Sequence, residues 1–237
     1  MSLYKKYRQE EPLVTERYPE LSDQLSNLVE LQDDHFDMVK KLLAPRGSSG
    51  TSPLFNLDIL TLSILNRSLD LIQGFCEAYP TWNLTVAAPV VRMQLDNVMR
   101  LVIIIDAPAS AGLVDAMLDG ERLSKVTDPL GPPGKRYKLT DSRLQEHAER
   151  HFPWLRLVYD KTSKWVHFSP TFVGSTFRVD DDIIAARFPF STDKIPLELL
   201  ESVLWAMYQA SAAVLYCADE IAKAKDLAAE QEFPSSR

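Results

Sequence analysis

The chain has 237 residues, 46% of them hydrophobic and 25% charged, with a formal net charge of −7 at neutral pH. That length can bury a substantial core, and the composition excludes extensive disorder. The negative balance disfavours non-specific binding to nucleic acid or to an anionic membrane surface, although it leaves room for a local basic patch.

The elements follow from apolar spacing and from the prolines, which number 15 against 8 glycines and punctuate helices. Residues 1–20 are polar and charged and predict no signal peptide, and 1–17 read as a frayed or loosely docked start. Leu21, Leu25, Leu28, Phe36, Val39 and Leu43 recur at helical spacing after Pro19. Residues 44–51 follow as a flexible connector, so 1–50 reads as an N-terminal arm with one helix. Ser52 and Pro53 then suit the cap and first turn of a helix over Leu54–Tyr79. That helix is apolar on nearly every side and therefore belongs near the centre of a bundle.

The next helix is expected from about Thr85 to Asp106, with Pro89 in its first turn. Its β-branched end, Leu101–Ile105, has a buried strand as the alternative reading. Arg92, Asp96 and Arg100 interrupt it, at roughly 2.5–3.5 kcal/mol per charge in mid-bilayer, so the segment is not read as a membrane span. A shorter helix is expected within 109–127, then a proline- and glycine-rich loop over 128–136. Thr140 opens a helix to about Phe152, and a further helix runs from Leu155 towards Ser169.

Beyond Pro170 the apolar period changes to alternation. Phe172–Val179 and Ile183–Phe188, around Asp180–Asp182, read as a small β-hairpin within 171–189. A last helix begins at Pro196, and 230–237 reads as a disordered tail. The whole is a mainly α chain: a helical bundle of five to seven helices with one small hairpin, its main domain spanning 51–229. Cys76 and Cys217 each sit in apolar helical patterns and read as buried thiols of a reducing compartment. The chain is expected to be cytoplasmic.

Tyr159, Ser163 and His167 stand at i, i+4 and i+8 on one flank of the 155–169 helix, with Arg156 near the same line. Arg92, Asp96 and Arg100 repeat that spacing on the earlier helix. Packed together, the two stripes would enclose a polar pocket, with Arg92, Asp96, Arg100 and Arg156 as its ligand-binding groups. His167 would then be a general base, Tyr159 and Ser163 its companions, and a small anion or a protein the partner. The alternative is an ion-pair network that fixes helix register.

His147 and His151 share the i, i+4 spacing of metal ligands, but no third ligand accompanies them. A solvated polar face is the simpler reading, and no metal or cofactor is expected. The loop over Gly131–Lys138 is basic but lacks the phosphate-loop pattern, because Gly134-Lys135 is followed by Arg136.

The Tyr159-x-x-x-Ser163-x-x-x-His167-Phe168-Ser169 segment, preceded by the Arg92-x-x-x-Asp96 helix, resembles bacterial helical domains of unknown function. Over about residues 54–169 it is also distantly similar to the HEPN superfamily, whose ribonuclease members carry an arginine four to six residues before a histidine. Here Lys161 takes that position, pointing about 120° away from His167 around the helix. The resemblance implies a metal-independent ribonuclease or nucleotidyl-group enzyme using His167, and a homodimer.

Overall fold

A computed structural model describes residues 11–45, 54–108, 112–166, 177–180, 183–186 and 195–232. The described residues form an all-α bundle of α1 (Val14–Arg17), α2 (Leu21–Leu43), α3 (Asn56–Ala78), α4 (Leu84–Asp106), α5 (Leu113–Leu118), α6 (Asp141–His151), α7 (Leu155–Val166) and α8 (Leu197–Glu232). The count exceeds the expected five to seven by one, because α1 has four residues, too short for a periodic pattern. Two strands, Phe177–Asp180 and Ile183–Ala186, pair antiparallel from Phe177↔Ala186 to Asp180↔Ile183. The remainder of 171–189 lies outside the described residues.

α4 is the hub, packed against α3, α6, α7 and α8. Val91, Leu95, Val98, Met99, Leu101 and Ile103 are wholly buried, as its nearly unbroken apolar sequence requires. The Leu101–Ile105 run continues the helix to Asp106, which removes the strand alternative. Pro89 is the sixth residue rather than part of the first turn, so the ladder lacks one N–H there. No helix among the described residues is long and apolar enough to cross a membrane.

The N-terminal helix is not an arm. α2 packs on α3 and α8, burying Leu21, Leu28, Leu31 and Leu42. Residues 11–17 are also firmly held. The Val14 N–H donates to the Pro80 carbonyl at 2.9 Å, and the Trp82 indole donates to the Pro12 carbonyl at 2.7 Å. Trp82 adopts a left-handed φ of 62°, a conformation costing roughly 1–2 kcal/mol, while its buried ring meets Tyr18 and Arg17.

α3 begins at Asn56, later than expected, and its first turn is closed by Asp58 accepting from the Phe55 N–H at 2.9 Å. The buried Asp58 carboxylate also meets Lys225 of α8 at 2.7 Å, tying the far end of the last helix to the start of α3. The helix expected within 109–127 is divided into α5 and a single 3₁₀ turn at Leu123–Lys125. Thr140 caps α6 by accepting from the Arg143 N–H. α8 continues to Glu232, inside the segment expected as a tail.

Candidate functional site

The two polar stripes do meet, but through one arginine. α4 and α7 pack together, and the Arg92 guanidinium lies over the Tyr159 ring with its carbon 3.6 Å from the ring centroid. Arg92 donates to the Tyr159 hydroxyl and, at 3.4 Å, to Asp141 at the start of α6; that hydroxyl donates to Asp141 at 3.0 Å. Burial pushes the Tyr159 phenol up, and the Asp141 carboxylate adds to this against the opposing pull of Arg92. The phenol therefore stays protonated as a donor.

The rest of the stripe disperses. Arg100 donates to Asp96 at 2.9 Å, and Arg67 of α3 reaches the same carboxylate at 3.3 Å. Arg92 does not share Asp96, so Arg92 and Arg100 form no joint anion clamp; each is occupied by acids. Arg156 turns to Glu149 at 3.7 Å, Ser163 is half-buried, and His167 lies outside the described residues.

The histidine pair departs from its sequence reading. His147 is fully buried, its Nε2 at 3.1 Å from Asp128, whereas His151 reaches Asp106 at 2.9 Å. Each imidazole is engaged by a different carboxylate, and no group of three or more potential ligands gathers among the described residues. Asp128 also receives the Arg143 guanidinium at 2.7 Å and the Leu130 N–H at 3.0 Å. Burial opposes its ionisation, but these donors prevail and hold its carboxyl below the usual range. The thiols offer no nucleophile: burial pushes Cys76 up to about 11 and Cys217 to about 12.

A second polar network, absent from the sequence reading, runs through the bundle interior. His35 of α2 has Nδ1 at 2.6 Å from the Leu31 carbonyl, which can only accept, so Nδ1 carries the proton. Its Nε2 then accepts from Ser68 of α3 at 2.8 Å. Gln94 of α4 donates to Ser68 and, at 3.1 Å, to Ser211 of α8, and accepts from Asn97 at 3.0 Å. Arg67 closes the chain onto Asn97 and Asp96. Four helices are registered by this seam, and burial lowers the His35 pKa, keeping the ring neutral.

The surface is less satisfied. Trp205 and Tyr216 lie eleven residues apart on one face of α8, about 16 Å along the axis. Between them stand Trp154 and Phe152 of the α6–α7 junction, with consecutive ring separations of 5.8 Å (Trp205–Trp154), 5.9 Å (Trp154–Phe152) and 5.9 Å (Phe152–Tyr216). At the Trp205 end this platform opens into a groove of about 340 Å³ between α7 and α8. Leu157, 60% exposed, and Trp205, 42% exposed, line it together with Val158, Val203 and Ala206. Lys161 on the α7 side and Glu201 on the α8 side also line it, and among the described residues neither joins an ion pair.

No protein-family model matches the chain, and neither the curated proteins nor the solved structures yield a match to it.

Proposed function

We propose that this chain is a non-catalytic interaction module whose working unit is a pair of copies joined across the α7–α8 groove. The observation that carries the reading is the exposure of Trp205 and Leu157 at the mouth of that groove. A large aromatic left half in water beside an exposed leucine marks a surface that another protein covers. The arginines expected to clamp an anion are instead occupied by Asp141 and Asp96, which favours a protein over a small anion.

The occupant follows from charge and symmetry. A two-fold axis brings α8 of one copy onto α7 of the other, so each contact is made twice. Lys161 and Glu201 flank the apolar strip on opposite helices, neither in an ion pair among the described residues, and such an axis sets each against the other's counterpart.

Sedimentation velocity at tens of micromolar tests this. The wild-type chain is expected to be a dimer and Trp205→Ser a monomer with unchanged helicity. Lys161→Glu or Glu201→Lys alone weakens association about tenfold, and the double exchange restores it. A monomeric wild-type chain, or a double exchange that does not recover, overturns the pairing.

A second reading, a metal-independent ribonuclease using His167, is favoured by the Arg92–Tyr159 contact, because Tyr159 begins the sequence row Tyr159, Ser163 and His167 at four-residue spacing. Cleavage of an unstructured RNA in the presence of a chelator, lost in His167→Ala, would support it; absence of cleavage would remove it.

A further inference from the structure

The chain is acidic overall, yet residues 121–140 carry Arg122, Lys125, Lys135, Arg136 and Lys138 against only Glu121 and Asp128. Asp128 is buried and engaged by Arg143 and His147, so it does not offset the surface charge. All five cations are exposed and, among the described residues, none pairs with an acid.

The lobe is built rather than loose. Thr127 and Lys138 form an antiparallel bridge, the Asp128 N–H donates to the Tyr137 carbonyl at 2.8 Å, and the Leu139 N–H donates to the Val126 carbonyl at 3.0 Å. Gly134 turns the tip with a φ of +80°, which a side chain would strain. Lys138 donates to the Lys125 carbonyl at 2.6 Å, and this holds the two arms of the lobe together. The Asp128–Arg143–His147 cluster then fastens the lobe to α6. Tyr137, 40% exposed, stands within the basic run with its ring 5.1 Å from the Arg143 guanidinium carbon.

We infer that this lobe is a docking surface for single-stranded nucleic acid, with the five cations on successive phosphates and Tyr137 as a stacking platform for a base. A basic track interleaved with an exposed aromatic ring is the chemistry that binds single strands without reading their sequence. The tip, Gly131–Lys138, has no leucine, isoleucine, valine, phenylalanine or tryptophan to enter a lipid surface. None of these residues lines the α7–α8 groove, so the inference is independent of the pairing proposed above.

Fluorescence anisotropy with the full chain and a labelled deoxythymidine strand of about 20 nucleotides tests it, titrated over a range of salt concentrations. Single-strand binding loses roughly 0.7 in log–log salt slope per phosphate contact, so five contacts give a slope near −3.5. The double variant Lys135→Ala/Arg136→Ala is expected to bind more weakly and reduce the slope by about 1.4. Tyr137→Leu is expected to bind about tenfold more weakly with the slope unchanged, because stacking is lost and charge is kept. The inference is overturned by an absence of binding at low salt, or by affinities that ignore these substitutions. Equal competition from polyglutamate or from phosphatidylserine vesicles also overturns it, since either shows that charge alone is being read.

Discussion

On the inner side of α8, Ser211 joins Gln94, Ser68, His35 and Asn97 in a seam where each polar group meets another. On the outer side of the same helix, Trp205 and Tyr216 leave large parts of their rings in water. The inner seam has an energetic role within the chain itself, because a buried amide or hydroxyl without a partner costs about 1–3 kcal/mol. The exposed part of the outer platform has no such internal role, since aromatic surface left in water gains nothing from this fold until something covers it. Buried polarity therefore points to architecture here, and exposed apolarity points to function.

The comparison is broken most directly at Gln94. Gln94→Leu keeps the volume but strands the Asn97 amide and leaves Ser68 and Ser211 each short of a partner. We expect a loss of about 3 kcal/mol, or roughly 6–12 °C in Tm for a chain of this size, read by thermal unfolding followed by circular dichroism. Folded Gln94→Leu should associate as the wild type does. A change in Tm below about 2 °C would mean that the seam is incidental to stability.

Much of the bundle was legible because its helices carry strong apolar periodicity and end at prolines. All-round apolarity points to α3 as the central helix, but the hub is α4, nearly as apolar apart from its Arg92–Asp96–Arg100 stripe. The same feature held an unread signal. On such a helix Gln94 and Asn97 have no solvent side to occupy, so they must be paired indoors; their partners Ser68, Ser211 and His35 lie on three other helices and share no local spacing. Matching i, i+4 stripes allowed Arg92 to meet Tyr159 without requiring it, and the diversion of Arg100 to Asp96 and Arg67 depended on the position of α3. His147 was read as solvated because its own helix is polar, with no local sign of Asp128 arriving from across a proline–glycine loop. Trp205 and Tyr216, eleven residues apart, share a helix face by spacing, but Trp154 and Phe152 complete the platform only through the α6–α7 junction.

A finer test of the seam uses protons. His35 is buried, its pKa lies below the ordinary value of 6.5, and its Nε2 must stay free to accept from Ser68. The unfolded chain therefore binds this proton more readily than the folded one, and stability rises with pH through the interval between the two pKa values. The contribution is fully present above about pH 6.5 and is lost as pH falls towards the lowered value, with a slope of at most about 1.4 kcal/mol per pH unit. Urea unfolding from pH 7.5 down to pH 5 should show this decline, and His35→Gln should flatten it by removing the titrating ring. Asp128 cannot imitate the effect, because its carboxyl, held below the usual range, loses its contribution only as pH falls through still more acidic values. Trp205→Ser should leave the slope untouched when both proteins are compared as monomers, because that ring takes no part in the seam. A slope that disappears with Trp205 and survives without His35 would reverse the roles assigned to the two sides of α8.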